Sequence, residues 1–194
     1  MLYAVEVPNL NGLPLGDTAF ANAAAAWDAL PKKLQDAVIN LRGVFDFRGR
    51  KRNSPVSAKD IAKYPPVDHP IVRSHPRTGR KSLYIVRYDC TSIISKDAQE
   101  SAALIEALAD HIVKPEFIYQ HKWQEGDIVV WDNCTVQHRA ILDYELPHRR
   151  LMWRTTVKGK RPNFNIASVR LPNQNQKKNL FTSLSKGSTD SEAV

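Results

Sequence analysis

The feature that most constrains the fold is a series of short apolar segments separated by turn residues in the second half of the chain. The segments cover residues 117–122, 127–131, 137–142 and 151–157. The first two are separated by a turn at Gly126-Asp127. Apolar runs of this length, bounded by turn residues, are typical of strands rather than helices. We therefore expect an antiparallel sandwich or jelly roll.

The first half of the chain adds strands and inserts helices. Further strands are predicted at residues 2–7, 69–73 and 82–86, with a turn at 75–80 and a loop over most of 46–66. Helices are predicted at about 20–30, capped by Asp17 or Thr18, and at 32–41 and 97–113. In the last helix, apolar residues recur at i, i+3 and i+4 from Leu104 to Ile112. The predicted fold class is mainly β with inserted helices (α+β).

Length and composition limit the class of protein. A chain of 194 residues suits one domain, which we place at 1–160, followed by a polar tail at 161–194 that we expect to be largely disordered from about 174. No apolar stretch approaches the roughly 20 residues that cross a bilayer, and no signal peptide is recognisable. Two distant cysteines, Cys90 and Cys134, give neither a disulfide framework nor a zinc spacing. We predict a cytoplasmic protein with reduced thiols and no membrane partner.

The charge balance raises the question of a nucleic-acid partner. The 28 Lys and Arg residues exceed the 20 Asp and Glu residues, for a net charge of +8. However, the sequence has no helix-turn-helix signature, aromatic RNA platform or zinc-finger spacing. We therefore predict no nucleic-acid partner, and attribute the positive charge to solvated side chains and to attraction of a small anionic substrate.

Two patterns near the last strands are open to two interpretations each. If residues 150–154 form a strand, Arg150 and Arg154 share one face, which either faces solvent or lines a cavity where anions pair with the guanidinium groups. His138 follows an apolar run that ends in Trp131-Asp132-Asn133. It is either an ordinary polar side chain at the rim of a sheet or a metal ligand.

Several stretches together resemble the taurine dioxygenase / 2,4-dichlorophenoxyacetate dioxygenase family of iron(II)- and 2-oxoglutarate-dependent oxygenases. In chain order they are LYAVEVP (2–8), LGDTAFA (15–21), HPIVRSHPRTGRKSLY (69–84), WQEGDIVVWDN (123–133), QH (137–138) and RRLMWRTT (149–156). The resemblance covers nearly all of residues 2–160. It identifies the family, whereas it leaves the individual substrate and the oligomeric state undefined.

The resemblance implies a partial jelly roll, or double-stranded β-helix, with iron in a site of two histidines and one carboxylate. It implies that His138 is the distal histidine ligand of Fe(II). It also implies that Thr18 and Arg150 hold the co-substrate 2-oxoglutarate. Arg154 would hold a sulfonate, sulfate or carboxylate group of a small organic substrate that is hydroxylated with O2, and Trp131 would line the pocket. No residue of the chain is assigned as catalytic.

The other two iron ligands of this family come from a His-x-Asp or His-x-Glu motif. None of the six histidines is followed two positions later by an acidic residue. By the resemblance the motif would lie before Met1, so we expect a truncated chain that is inactive alone. The alternative is a catalytically dead jelly-roll module that binds an anion or a protein partner. Cys134 also departs from the family, which commonly has arginine there.

Overall fold

The computed structural model describes residues 1–50, 55–159 and 161–164 and is mainly β with few helices. The strands are β1 (Leu2–Glu6), β2 (Asn9–Leu10), β3 (Leu13–Pro14), β4 (Thr18–Asn22), β5 (Arg42–Phe45), β6 (Val67–Pro70), β7 (Val72–Ser74), β8 (Lys81–Leu83), β9 (Cys90–Ile93), β10 (Ile118–His121), β11 (Ile128–Val129), β12 (Val136–Ala140) and β13 (Leu151–Arg154). The α-helices are α1 (Ala23–Asp28), α2 (Lys32–Val38), α3 (Ala58–Lys63) and α4 (Ala98–Ile112), and 3-10 turns occur at Phe47–Gly49 and Pro115–Phe117.

The chain divides into two compact units. Unit 1 comprises Met1–Asp28, His75–Leu83 and His111–Arg161. Unit 2 comprises Ala29–Ser74 and Tyr84–Asp110, with the described residues from 162 onward. The residues that the sequence predicts for the functional site all belong to unit 1.

Unit 1 contains two three-stranded antiparallel sheets. One has the order β11-β1-β13 and the other the order β10-β4-β12. In the first sheet Ala4 lies opposite Met152 and is fully buried. Near the second sheet the fully buried Trp123 fills the core and follows β10 directly. These sheets confirm the predicted β character of the second half of the chain.

The helix predicted at about 20–30 is wrong in its first part, because the chain after Thr18 begins as a strand. This strand is β4, which pairs with β10 on one side and with β12 on the other. Helix α1 therefore begins only at Ala23, and the Asn22 side chain caps it by accepting a hydrogen bond of 2.9 Å from the Ala25 N–H. Helix propensity is a weak preference, so pairing on both edges of β4 decides the structure.

Unit 2 contains the sheet β6-β5-β9 and most of helix α4. Strands β5 and β9 were not predicted. At Gly43 of β5, an added Cβ would lie 2.6 Å from Cys90 Sγ, so this close approach requires glycine. The helix predicted at 97–113 is confirmed as α4, with Leu108 and Ile112 buried on its apolar face. The Asp97 carboxylate caps it by accepting a hydrogen bond of 2.7 Å from the Glu100 N–H.

Other expectations have different outcomes. The predicted loop at 46–66 contains helix α3, which Ser57 caps through the Asp60 N–H. Among the described residues no helix has the length and apolar character that a membrane span requires. The tail expected to be disordered from about 174 lies outside the described residues. The domain boundary near 160 and the cytoplasmic location stay predictions.

Candidate functional site

The candidate site is built on the sheet β10-β4-β12 of unit 1. His138 of β12 lies opposite Phe20 of β4, and Phe20 lies opposite Tyr119 of β10. Residues directly opposite each other in a sheet share a face, and so do residues two apart on one strand. Thr18 therefore projects from the same face as His138. The sheet register brings together two residues that the sequence predicts for one site.

His138 has an accessible side chain with aromatic rings around it. The Phe20 ring is stacked at 6.1 Å between centroids, and the Trp131 ring lies 4.7 Å away at an angle of 54°. The indole N–H of Trp131 donates a hydrogen bond of 2.7 Å to Asn133 Oδ1, which fixes the orientation of that ring. The predicted pocket residue Trp131 thus lies beside the predicted metal ligand.

Desolvation and positive charge favour the neutral form of His138. Partial burial lowers the pKa of His138 below its ordinary value, and the charges of Arg154 and of the Met1 amino group lower the pKa further. A neutral imidazole keeps a lone pair for a metal ion, whereas the protonated ring has none. The electrostatic setting therefore suits the predicted ligand role of His138.

The Thr18 hydroxyl is buried, with 1% of the residue exposed, and accepts two hydrogen bonds. The indole N–H of Trp123 donates to Thr18 Oγ1 over 3.0 Å, and Arg150 Nη2 donates over 3.3 Å. A threonine hydroxyl can accept two hydrogen bonds and donate one. Its own O–H is therefore the part of the group left to donate to a bound anion.

Arg150 is held beside Thr18 by a backbone contact and by an aromatic ring. Its Nε donates to the Gly16 carbonyl over 3.0 Å, and the guanidinium carbon lies 5.9 Å from the centre of the Trp123 ring. Gly16 has a φ of +74°, and a Cβ there would lie 2.8 Å from Arg150 Cδ and 3.0 Å from Tyr144 Cε1. Glycine is therefore required at position 16 both for the backbone conformation and for the space that Arg150 occupies.

The two arginines differ from the simple strand-face expectation. β13 begins at Leu151, so Arg150 precedes the strand and owes its position to Gly16 and Trp123 rather than to strand alternation. Arg154 lies on β13 opposite Leu2 and is exposed. Its positive charge contributes to the lowered pKa of the His138 imidazole.

Gly16 and Trp123 were missed as site residues. Their signal in the sequence is weak, because a glycine after Leu15 and a tryptophan after Lys122 fit many loops. Their role comes from contacts with Arg150 and Thr18, which are distant in sequence. Roles are predicted for Thr18, Trp131, His138, Arg150 and Arg154, and these roles stay predictions. The structure places all five residues in unit 1, where Arg150 contacts Thr18 and Trp131 contacts His138.

We predict that His138 titrates below the ordinary histidine range and that Arg154→Gln raises the pKa of His138. The substitution removes a positive charge that disfavours the imidazolium form. NMR titration of the His138 ring protons in chelator-treated protein measures the value. Arg149→Gln is the control, because Arg149 lies 3.8 Å from Glu6 in an exposed pair instead. An unchanged His138 pKa in the Arg154 variant would contradict the assigned electrostatics.

Comparison with known families gives a match over most of the chain. The family described as "Taurine catabolism dioxygenase TauD, TfdA family" matches residues 1–156. The alpha-ketoglutarate-dependent 2,4-dichlorophenoxyacetate dioxygenase of Cupriavidus pinatubonensis is 36% identical over 81% of this chain and 54% of its own length. The alpha-ketoglutarate-dependent sulfonate dioxygenase of Saccharomyces cerevisiae is 35% identical over 76% of this chain and 36% of its own length.

Solved structures agree with this match. AAD-2 in complex with Mn(II) and N-oxalylglycine has a TM-score of 0.74 and 32% identity, covering 84% of this chain and 64% of that one. A taurine dioxygenase from Burkholderia xenovorans has a TM-score of 0.70 and 34% identity, covering 83% of this chain and 52% of that one. The chain thus spans about half the length of the curated 2,4-dichlorophenoxyacetate dioxygenases that it matches. The family match over residues 1–156, with relatives of more than 30% identity over most of the chain, shows that the chain belongs to the TauD/TfdA family.

Proposed function

We propose that unit 1 carries the co-substrate anchor and one metal ligand of an Fe(II)- and 2-oxoglutarate-dependent dioxygenase. One observation supports this most strongly: Thr18 and Arg150 form a joint donor site, and Thr18 projects from the same sheet face as His138. We further propose that the two sheets of unit 1 are part of a double-stranded β-helix. The relatives named as alpha-ketoglutarate-dependent dioxygenases support the same reaction class.

The far carboxylate of 2-oxoglutarate is the anion that fits Arg150. A guanidinium group pairs with a carboxylate through two parallel hydrogen bonds, and a partly buried site strengthens them. Nε and one Nη2 hydrogen of Arg150 bind Gly16 and Thr18, so these two contacts aim the remaining N–H groups. The Thr18 O–H adds a further donor. Arg150 and Thr18 therefore bind and orient the co-substrate before any chemistry.

His138 is the residue that fits Fe(II). Its neutral ring supplies one nitrogen, and the accessible face leaves room for further ligands. Bound Fe(II), with 2-oxoglutarate and O2, supplies oxidation of a substrate C–H bond coupled to decarboxylation of 2-oxoglutarate to succinate. The 194 residues contain no His-x-Asp or His-x-Glu motif, so the other two ligands of the family site have no counterpart among them. We therefore propose that this chain does not turn over alone.

Arg154 and Trp131 support a small anionic organic substrate. Arg154 is exposed and its charge acts on His138, so its guanidinium group is available to a sulfonate, sulfate or carboxylate. Trp131 offers an apolar wall beside the same histidine. Relatives are named for 2,4-dichlorophenoxyacetate, sulfonates and sulfate esters, and each of these compounds combines an anionic group with an organic part.

A second candidate function follows from the missing motif. A catalytically dead module that binds an anion would also keep Arg150 and Thr18 while having only one of the three iron ligands, as this chain does. The two candidates share anion binding and differ in whether the site around His138 becomes active when the other ligands are supplied. Anion binding and turnover therefore have to be measured separately.

For anion binding, we predict that Arg150→Ala weakens 2-oxoglutarate affinity about ten- to hundredfold. Hydrogen bonds to a charged group contribute about 1.5–3 kcal/mol, and each 1.4 kcal/mol is a factor of ten. Isothermal titration calorimetry with 2-oxoglutarate measures the loss, and Arg149→Ala is the matched control on the neighbouring residue. Equal affinity in the Arg150 variant and the parent protein would exclude the assigned anchor.

For turnover, we predict no 2-oxoglutarate-dependent succinate formation by this chain with Fe(II) and ascorbate. We expect turnover when residues 1–156 replace the matched segment of the Cupriavidus relative, since that protein then supplies the remaining part. His138→Ala in the chimera is the control and should abolish succinate formation. Circular dichroism establishes that both chimeras fold.

Three results are informative. Succinate formation by the 194-residue chain alone would refute its proposed inactivity. Turnover by the chimera that depends on His138 supports the oxygenase. A folded chimera that binds 2-oxoglutarate without turnover would favour the dead module instead.

A further inference from the structure

Besides the single proposed ligand His138, unit 1 contains a group of potential metal ligands that shares no residue with the site above. It consists of His75, Asp132 and Cys134, whose ligand atoms all lie within 4.8 Å of one another. His75 Nε2 is 2.9 Å from Asp132 Oδ2. Among the described residues this is the one group of three or more His, Cys, Asp or Glu side chains that meets this distance.

The turn that carries His75 is held by its own hydrogen bonds. The His75 N–H donates to the Arg80 carbonyl over 2.8 Å, and the Gly79 N–H donates to the His75 carbonyl over 2.9 Å. Gly79 has a φ of +71°, as this tight turn requires. The position of His75 is therefore determined locally, without a metal ion.

The loop that carries the other two ligands is also held. The N–H groups of Thr135 and Val136 donate to the Asp132 carbonyl at 3.2 and 3.0 Å. The Ser82 hydroxyl donates to the Cys134 carbonyl over 2.9 Å. Backbone contacts thus fix the loop, so binding an ion needs little ordering of the chain.

Without a metal ion, hydrogen bonds hold the side chains of His75 and Asp132 in place. His75 Nδ1 accepts from the N–H groups of Thr78 and Arg77 at 3.1 and 3.3 Å, so the proton sits on Nε2 and is donated to Asp132. The other oxygen of Asp132 accepts from the Cys134 N–H over 2.8 Å. Hydrogen bonds to Cys134 and the nearby His75 keep the pKa of Asp132 below its ordinary value despite some burial.

A metal ion can take the place of the His75 Nε2 proton and the Cys134 thiol proton, and each proton has a place to go. The ring proton moves from Nε2 to Nδ1, where Thr78 Oγ1 lies 3.0 Å away and can accept it. The Cys134 thiol releases its proton to solvent and becomes a thiolate, as metal binding requires. Thr78 then orients the ring, the usual role of a hydrogen-bond partner behind a histidine ligand. Because Nδ1 then carries the proton and cannot accept, the long hydrogen bonds from the Arg77 and Thr78 N–H groups are lost in this state.

We propose that His75, Asp132 and Cys134 bind a divalent ion of the zinc class, with water as the fourth ligand. Imidazole, carboxylate and thiolate are the donors that Zn²⁺ takes, whereas Mg²⁺ and Ca²⁺ prefer oxygen alone. Zinc bond lengths of about 2.0–2.3 Å imply ligand separations of about 3.3–3.6 Å in a tetrahedron. His75 Nε2 and Asp132 Oδ2 lie 2.9 Å apart, and no two of the three ligand atoms are more than 4.8 Å apart. Movements on the order of 1 Å would therefore bring the three atoms to tetrahedral separations. The ion would fasten the turn at 75–80 to the loop that precedes His138.

The test is titration of the metal-free 194-residue protein with Co²⁺, a spectroscopic probe for zinc sites. A thiolate bound to Co²⁺ gives a charge-transfer absorption in the near ultraviolet, which the imidazole of His138 cannot give. We expect this band to saturate at one Co²⁺ per chain and to disappear when Zn²⁺ is added. Cys134→Ser should abolish the band, and His75→Gln should weaken Co²⁺ affinity at least about tenfold.

Two matched variants control the assignment. Cys90→Ser should keep the band, because Cys90 is buried and desolvation raises the pKa of its thiol to about 12. His138→Ala should also keep the band, which separates this site from the proposed iron site. The proposal is overturned if the parent protein shows no thiolate band, if the band survives Cys134→Ser, or if it is lost in Cys90→Ser. Circular dichroism of each variant excludes unfolding as the cause.

Discussion

The buried hydroxyl of Thr18 is the contact on which the rest of the candidate site depends. It accepts hydrogen bonds from the core residue Trp123 and from the charged residue Arg150, which lie 105 and 132 residues after Thr18 in the sequence. Partial burial of an arginine is costly without partners, so the hydroxyl, the Gly16 carbonyl and the indole ring together offset the desolvation of Arg150. The same contacts aim the guanidinium group, so the proposed anion site is ordered before binding.

The sequence predicted the fold class better than the order of elements. The periodic helix α4 and the strands after residue 117 were found, because their apolar patterns and turns are local. The predicted helix is wrong over residues 20–22, just before the alanine run, because pairing with β10 and β12 makes these residues strand. Strand β5 was missed, because the requirement for Gly43 arises from Cys90 in a distant strand. Local pattern does not carry these long-range pairings.

The candidate site shows the same division. The roles expected for Thr18, His138 and Arg150 come from ordered motifs and stay predictions, and the structure places all three residues in unit 1. Gly16 and Trp123 were missed, since their roles exist only in contact with Arg150. The group of His75, Asp132 and Cys134 has no sequence spacing typical of zinc, because separate loops bring its members together.

We propose that Thr18 and Arg150 act as one preorganised donor site for 2-oxoglutarate. A double-mutant cycle with Thr18→Val and Arg150→Lys, measured by calorimetry of 2-oxoglutarate binding, tests it most directly. Residues in one hydrogen-bonded network show coupling energies of about 0.5–3 kcal/mol. We expect the double variant to lose less affinity than the sum of the single losses, with a coupling in this range. Strictly additive losses, or no loss in either single variant, would contradict a joint donor site.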